Sequence, residues 1–160
     1  MDWLALLLKL GHVAAAFVLV AGLAGRWVLL TQASRSTDIE RQHLLADAAS
    51  PFERAAQFGS MAVVGLGLLT AWAQDYPWLG LTTPWILLTV VILVPMIIFV
   101  PAILIPRGRA FDAAMADART KGIITPALRA AWSDRAVAFA RRYELVGTAL
   151  IVALMVIKPF

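Results

Sequence analysis

Residues 3–30 read WLALLLKLGHVAAAFVLVAGLAGRWVLL, an apolar run that carries three ionisable side chains, Lys9, His12 and Arg26. About 20 apolar residues in a helix cross a hydrocarbon layer of roughly 30 Å. Inside that layer the backbone must satisfy its own hydrogen bonds, so a single apolar run has to be a helix. Three further runs, about 55–73, 84–105 and 137–157, meet or approach the same requirement. The expected fold is all-α: one integral membrane domain built as a four-transmembrane-helix bundle. Polar segments 31–54 and 107–136 lie between spans, the second as helical extensions outside the bilayer.

Composition agrees. The chain is 61% hydrophobic and 15% charged, against about 25% charged in ordinary soluble domains, and its mean hydropathy is +0.81. With no cysteine, thiolate metal sites, iron–sulfur clusters, disulfides and cysteine nucleophiles drop out. A net charge of +4 invites a nucleic-acid reading. The basic residues, however, sit in loops beside apolar runs, where topology accounts for them, so no nucleic-acid partner is expected. The first run is too long for the core of a cleavable signal peptide and has no basic segment before it, so it reads as a retained span.

Loop charge sets an orientation. Arg35, Arg41 and Arg54 fall in the first polar segment, and Arg107, Arg109, Arg119, Lys121, Arg129, Arg135, Arg141 and Arg142 in or beside the second. The stretch QDYPWLGLTT has neither Lys nor Arg. Positive loops stay inside, so both termini are expected outside the cytoplasm. Trp3, Trp72, Tyr76, Trp78 and Trp85 then fall at the outer interface, with Trp27 and Tyr143 near the inner one.

Helix punctuation refines the boundaries. SPFE at 50–53 has capping-box spacing with Pro51 at the first helical position. Thr83–Pro84 and Thr125–Pro126 open helices in the same way. The second of these is expected to run unbroken to Ile157. The stretch RGRAFDAAMADARTK forms a helix ended by Gly122 and packs with the next as a hairpin. Pro95 and Pro101 kink the third span.

Three side chains are candidates for chemistry. His12 lies about 13 Å below Trp3, at ~1.5 Å per residue, and shares a face with Ala16, Leu19, Leu23 and Arg26. An ionisable group at that depth faces the bundle interior and has a partner. Its readings are a hydrogen-bonded structural imidazole, a haem ligand, a proton relay or a metal ligand. Arg26 marks the inner interface, or pairs with a carboxylate such as Glu144, or binds a propionate or lipid phosphate. Glu144 shares a face with Thr148, Ile151 and Met155, and pairs either with Arg141 one turn away or with a more distant cation. Lys9 snorkels to the outer surface. His43 belongs to a solvated loop. Gly59, Val63, Gly67 and Ala71, and Ala21 with Gly25, are small-residue ladders that allow close helix packing or leave room for a flat cofactor. Met61, Met96 and Met155 are core filler or a second haem ligand. No phosphate-binding loop, HExxH or nucleophile elbow is present in the sequence.

A histidine early in the first span followed by AGLAGRW, the stretch FERAAQFGSMAVVGLGLLTAW, and a final RRYELVGTALIVALMVIKPF together resemble an uncharacterised family of integral membrane proteins, domain of unknown function 2269. More distantly the chain is similar to the HemJ type of protoporphyrinogen oxidase and to the CopD-type membrane domain. The resemblance implies a bacterial inner-membrane location. In the HemJ type the first-span histidine ligates haem b and an Asn-Glu pair opens the last helix, which implies a ligand role for His12 and a site role for Glu144. Tyr143 stands at the position of that asparagine. The leading expectation is a haem b-binding, redox-associated membrane protein with His12 on the iron and Arg26 and Glu144 as supporting charges. It would act as a homo-oligomer or with a membrane redox partner. A scaffold or accessory subunit without cofactor is the alternative, and a small proton-linked transporter the third reading.

Overall fold

The computed structural model describes residues 3–158; Met1, Asp2 and the terminal Pro159 and Phe160 lie outside that range. The chain is all-α. Helix α1 spans Trp3–Arg35, α2 Ile39–Ala73, α3 Pro84–Phe99, α4 Ile105–Lys121, α5 Pro126–Trp132 and α6 Arg135–Ile157. By length and composition, three helical stretches among the described residues are long and apolar enough to cross a membrane: α1, α2 and the continuous Pro84–Lys121.

The first polar segment is helical rather than a loop. Helix α1 continues to Arg35, and α2 starts at Ile39 with Asp38 as its N-cap, the carboxylate accepting from the Glu40 amide at 3.1 Å. The SPFE motif therefore opens nothing: Pro51 sits inside α2. A proline there has no N–H to give and crowds the carbonyl one turn earlier, and α2 runs through it on an exposed face. Thr83 and Thr125 do precede helices with proline at the first position, and the Thr125 hydroxyl accepts from the Leu128 amide at 3.3 Å. The helix from Thr125 is not continuous to Ile157. It stops at Trp132, and Asp134 caps a new one by accepting from the Ala136 and Val137 amides.

Between α2 and α3, Trp78, Leu79 and Gly80 all take left-handed backbone angles (φ 53°, 56° and 87°). Gly80 is buried against Ile86, leaving no space for a Cβ. Between α3 and α4, Val100–Leu104 forms a π-helical turn, in which the Ile105 amide reaches the Val100 carbonyl five residues back. Pro101 inside the turn and Pro106 just after it both lack an amide proton, so the α-helical ladder cannot run through.

Helices α1 and α2 form the closest pair, and glycine is the reason. A Cβ on Gly22 would meet the Ala56 backbone nitrogen at 2.5 Å, and one on Gly59 the Leu19 nitrogen at 2.8 Å. Helix α6 packs on α3, with Gly147 against Ile92 and Met96, and Tyr143 donating to the Ile92 carbonyl at 3.3 Å. Tyr143 is thus partly buried, edge-on to Phe99. The expected hairpin of α4 and α5 forms, ended on one side by Gly122 in a left-handed C-cap. Its small core is Ile39, Met115, Ala118 and Leu128, with Phe111 edge-on to Trp132 at 4.6 Å. The Trp132 indole donates to Gln42 at 2.9 Å, which ties the hairpin to the start of α2.

Candidate functional site

The inward face read from the sequence of α1 is the one the fold uses: His12, Ala16 and Leu19 are partly buried, and Leu23 and Arg26 fully. His12 places its Nδ1 2.9 Å from the Val63 carbonyl of α2. A carbonyl only accepts, so Nδ1 carries a proton, and in the neutral ring the lone pair falls to Nε2. The imidazole lies over Gly67, where a Cβ would come within 3.0 Å of Cε1. The glycine ladder of α2 thus serves two ends: Gly59 admits the α1 backbone, and Gly67 admits the His12 ring. Lys9 is exposed, as an interfacial anchor would be.

Arg26 and Glu144 meet at 2.5 Å, guanidinium to carboxylate, and both are buried. Of the partners open to Glu144, the fold selects Arg26 across the bundle instead of Arg141 on its own helix. Arg26 lies fourteen residues beyond His12 on α1, about 21 Å at ~1.5 Å per residue. The three candidates therefore divide into two places: a histidine held to α2, and an ion pair joining α1 to α6. Of the three methionines, Met61 is exposed and Met96 packs its sulfur on Gly147. Among the described residues no group of three metal-ligating side chains comes together.

Beside the ion pair a cleft of about 250 Å³ opens between α1 and α6. Arg26, Arg141 and Arg142 line it together with apolar side chains of both helices. A second cavity of about 470 Å³ shares Ser34 and Trp132 with it and is lined by Arg35 and Arg129. Sequence reading missed this gathering, because Arg141 and Arg142 read as ordinary loop-flanking charge. Periodicity was the available signal: Leu23, Arg26, Leu30 and Ser34 on α1, and Ala138, Arg141 and Leu145 on α6, each recur at three or four residues. At the far end of the bundle Lys158 lies over the Trp85 ring at 5.5 Å. His43 is partly buried with Nε2 3.4 Å from Asp47, not free in a loop.

A model of the family described as "Predicted integral membrane protein (DUF2269)" matches residues 6–159. The chain belongs to this family. Residues 6–159 take in His12, Arg26 and Glu144, so all three lie within the part shared with the DUF2269 family. No curated protein and no solved structure matches the chain, and the more distant likeness to the HemJ and CopD types has no match behind it.

Proposed function

We propose that this is a four-span inner-membrane protein with both termini outside the cytoplasm, acting as a non-enzymatic scaffold or accessory subunit. One observation supports it. The ionisable groups in the bundle interior are spent on joining helices, His12 to the Val63 carbonyl and Arg26 to Glu144. The fourth span is α6. Its 23 residues reach about 34 Å. The carboxylate that breaks its apolar character is neutralised by Arg26. The orientation rests on the Arg-rich segments around 31–54 and 107–136 and on the lack of Lys and Arg in residues 74–83.

The haem reading has its own support. An imidazole whose Nδ1–H is held by a backbone carbonyl presents Nε2 in fixed orientation, as metal-bound histidines do. Haem b would supply electron transfer at that nitrogen, His12 would hold it, and Val63 would fix the tautomer. Arg26 and Glu144 take no part, and a second ligand would come from an oligomer or the sixth position would stay open. The deciding experiment is an absorption spectrum, oxidised and dithionite-reduced, of protein expressed with haem supplied, beside His12→Ala. The scaffold reading expects no Soret band, and a loss of about 1 kcal/mol in His12→Ala from the missing hydrogen bond. A Soret band that vanishes in His12→Ala would replace it with the haem reading.

A further inference from the structure

The stripes of α1 and α6 that face each other do not close. They touch where Arg26 meets Glu144 and part beside it, leaving the cleft. Arg26, Arg141 and Arg142 surround this opening, and among the described residues no carboxylate lines it or the adjoining cavity with Arg35 and Arg129. Three guanidinium groups line the cleft and two more line its neighbour, so the lining itself is positively charged. Glu144 is hydrogen-bonded to Arg26, and Glu144 and Glu53 act on Arg141 only through space. The Nε of Arg141 is buried and has no hydrogen-bond partner. A guanidinium offers a planar fork that suits phosphate oxygens.

The cleft also has apolar lining: Leu23 one turn before Arg26 on α1, Leu145 one turn after Arg141 on α6, both towards the membrane in the orientation proposed above, and Leu30 one turn beyond Arg26. A free anion has no use for that lining, and a hydrocarbon chain does. In the orientation proposed above, the arginines lie at the cytoplasmic face, where basic pockets between membrane helices take anionic head groups.

We propose that the α1–α6 cleft binds an anionic phospholipid, its phosphate held by Arg141 and Arg142 and its acyl chain lying along Leu23 and Leu145. Arg26 stays with Glu144 and joins α1 to α6 beside the cleft. Thr31 and Ser34 present hydroxyls at the same opening.

The test uses the full chain, purified in detergent and stripped of lipid, with bound lipid read by native mass spectrometry. Dioleoyl phosphatidic acid should be retained one per chain, dioleoyl phosphatidylcholine should not, and inorganic phosphate at millimolar concentration should fail to displace the former. Arg142→Ala, at an exposed position, should weaken retention about tenfold. Arg109→Ala, exposed and outside both cavities, should leave it unchanged. Arg141→Ala serves as a second variant, its helical circular dichroism compared with the parent. Equal retention of the two lipids would overturn the proposal, as would an Arg142→Ala protein that binds like Arg109→Ala. Displacement by an equal concentration of inorganic phosphate would overturn the lipid assignment in favour of a free anion.

Discussion

Arg26 and Glu144 owe their place in an apolar bundle to each other, and each is a liability alone. Removing one partner of a buried ion pair strands a charge and costs about 3–5 kcal/mol, whereas replacing both by apolar side chains of similar volume is close to neutral. Glu144→Gln or Arg26→Ala should therefore lower thermal stability in detergent sharply, and Arg26→Met with Glu144→Leu should recover most of it. Additive losses in the double variant would mean that the pair contributes something beyond mutual neutralisation. Glycine gives a second contrast. Gly22→Ala drives a Cβ into the Ala56 backbone and should loosen α1 from α2. Gly65→Ala meets nothing within 4 Å and should be neutral, or gain up to about 1 kcal/mol from helix propensity. Circular-dichroism melts of the two variants make the comparison. The sequence showed that small residues line these helices, yet it pointed to Ala21 and Gly25 where the closest backbone approach is at Gly22. Neighbouring positions differ by about 100° of helix rotation, and only the packed partner fixes that phase. Arg26 with Glu144 was legible as one pairing among several. Choosing it needed the crossing of α1 and α6, which no local pattern encodes.

Helix α6 depends on how it starts. Asp134 caps it through two backbone amides and also accepts a charge-assisted hydrogen bond from Arg107 at the beginning of α4. That bond, first among the causes, with the two amide bonds, holds the Asp134 carboxyl below the usual aspartate value despite some desolvation. A depressed carboxylate contributes stability in full above its unfolded pKa of about 3.9, and the contribution is lost as pH falls through the lower folded value. Acid should thus loosen the α5–α6 junction before it touches the α1–α2 pair, and Asp134→Ala should remove that acid step together with about 1 kcal/mol of capping. Hydrogen exchange at the Ala136 and Val137 amides, followed from about pH 5 down to about pH 2, is the measurement. This junction was hidden in the sequence because ALRAAWSDRAVAFARR keeps an amphipathic rhythm across it. Pro51 misled in the opposite sense. Its motif looks like a helix start, but tertiary contact of α2 with α1 carries the helix through it. Thr83, Thr125 and Gly122 were readable because their geometry is local: a fixed proline φ, a hydroxyl cap, a left-handed glycine.

Membrane character needs only hydropathy, and the sequence displayed it plainly. The number of crossings is subtler, since α6 carries Arg141, Arg142 and Glu144 at its apolar edge and, unlike α1, α2 and Pro84–Lys121, is not apolar enough by composition to count as a span. A chain with no cysteine makes the topology directly measurable. Thr82→Cys and Lys158→Cys should react with a membrane-impermeant maleimide added to intact cells, and Thr120→Cys only after permeabilisation. All three positions are exposed. If Lys158→Cys behaves like Thr120→Cys, α6 does not cross and the chain has three spans.

The π-helical turn at Val100–Leu104 adds one residue to a helix that would otherwise advance about 100° per residue. It works as a phase shifter between α3 and α4. Removing Ala102 would give a more regular helix and a worse protein. Helix α4 would swing by about a quarter turn relative to α3, and Met115 and Ala118 would leave the cluster they share with Ile39 of α2. Here the count of residues, and not the identity of any one of them, is what the fold holds constant, so insertions and deletions at this turn should be tolerated far less well than substitutions.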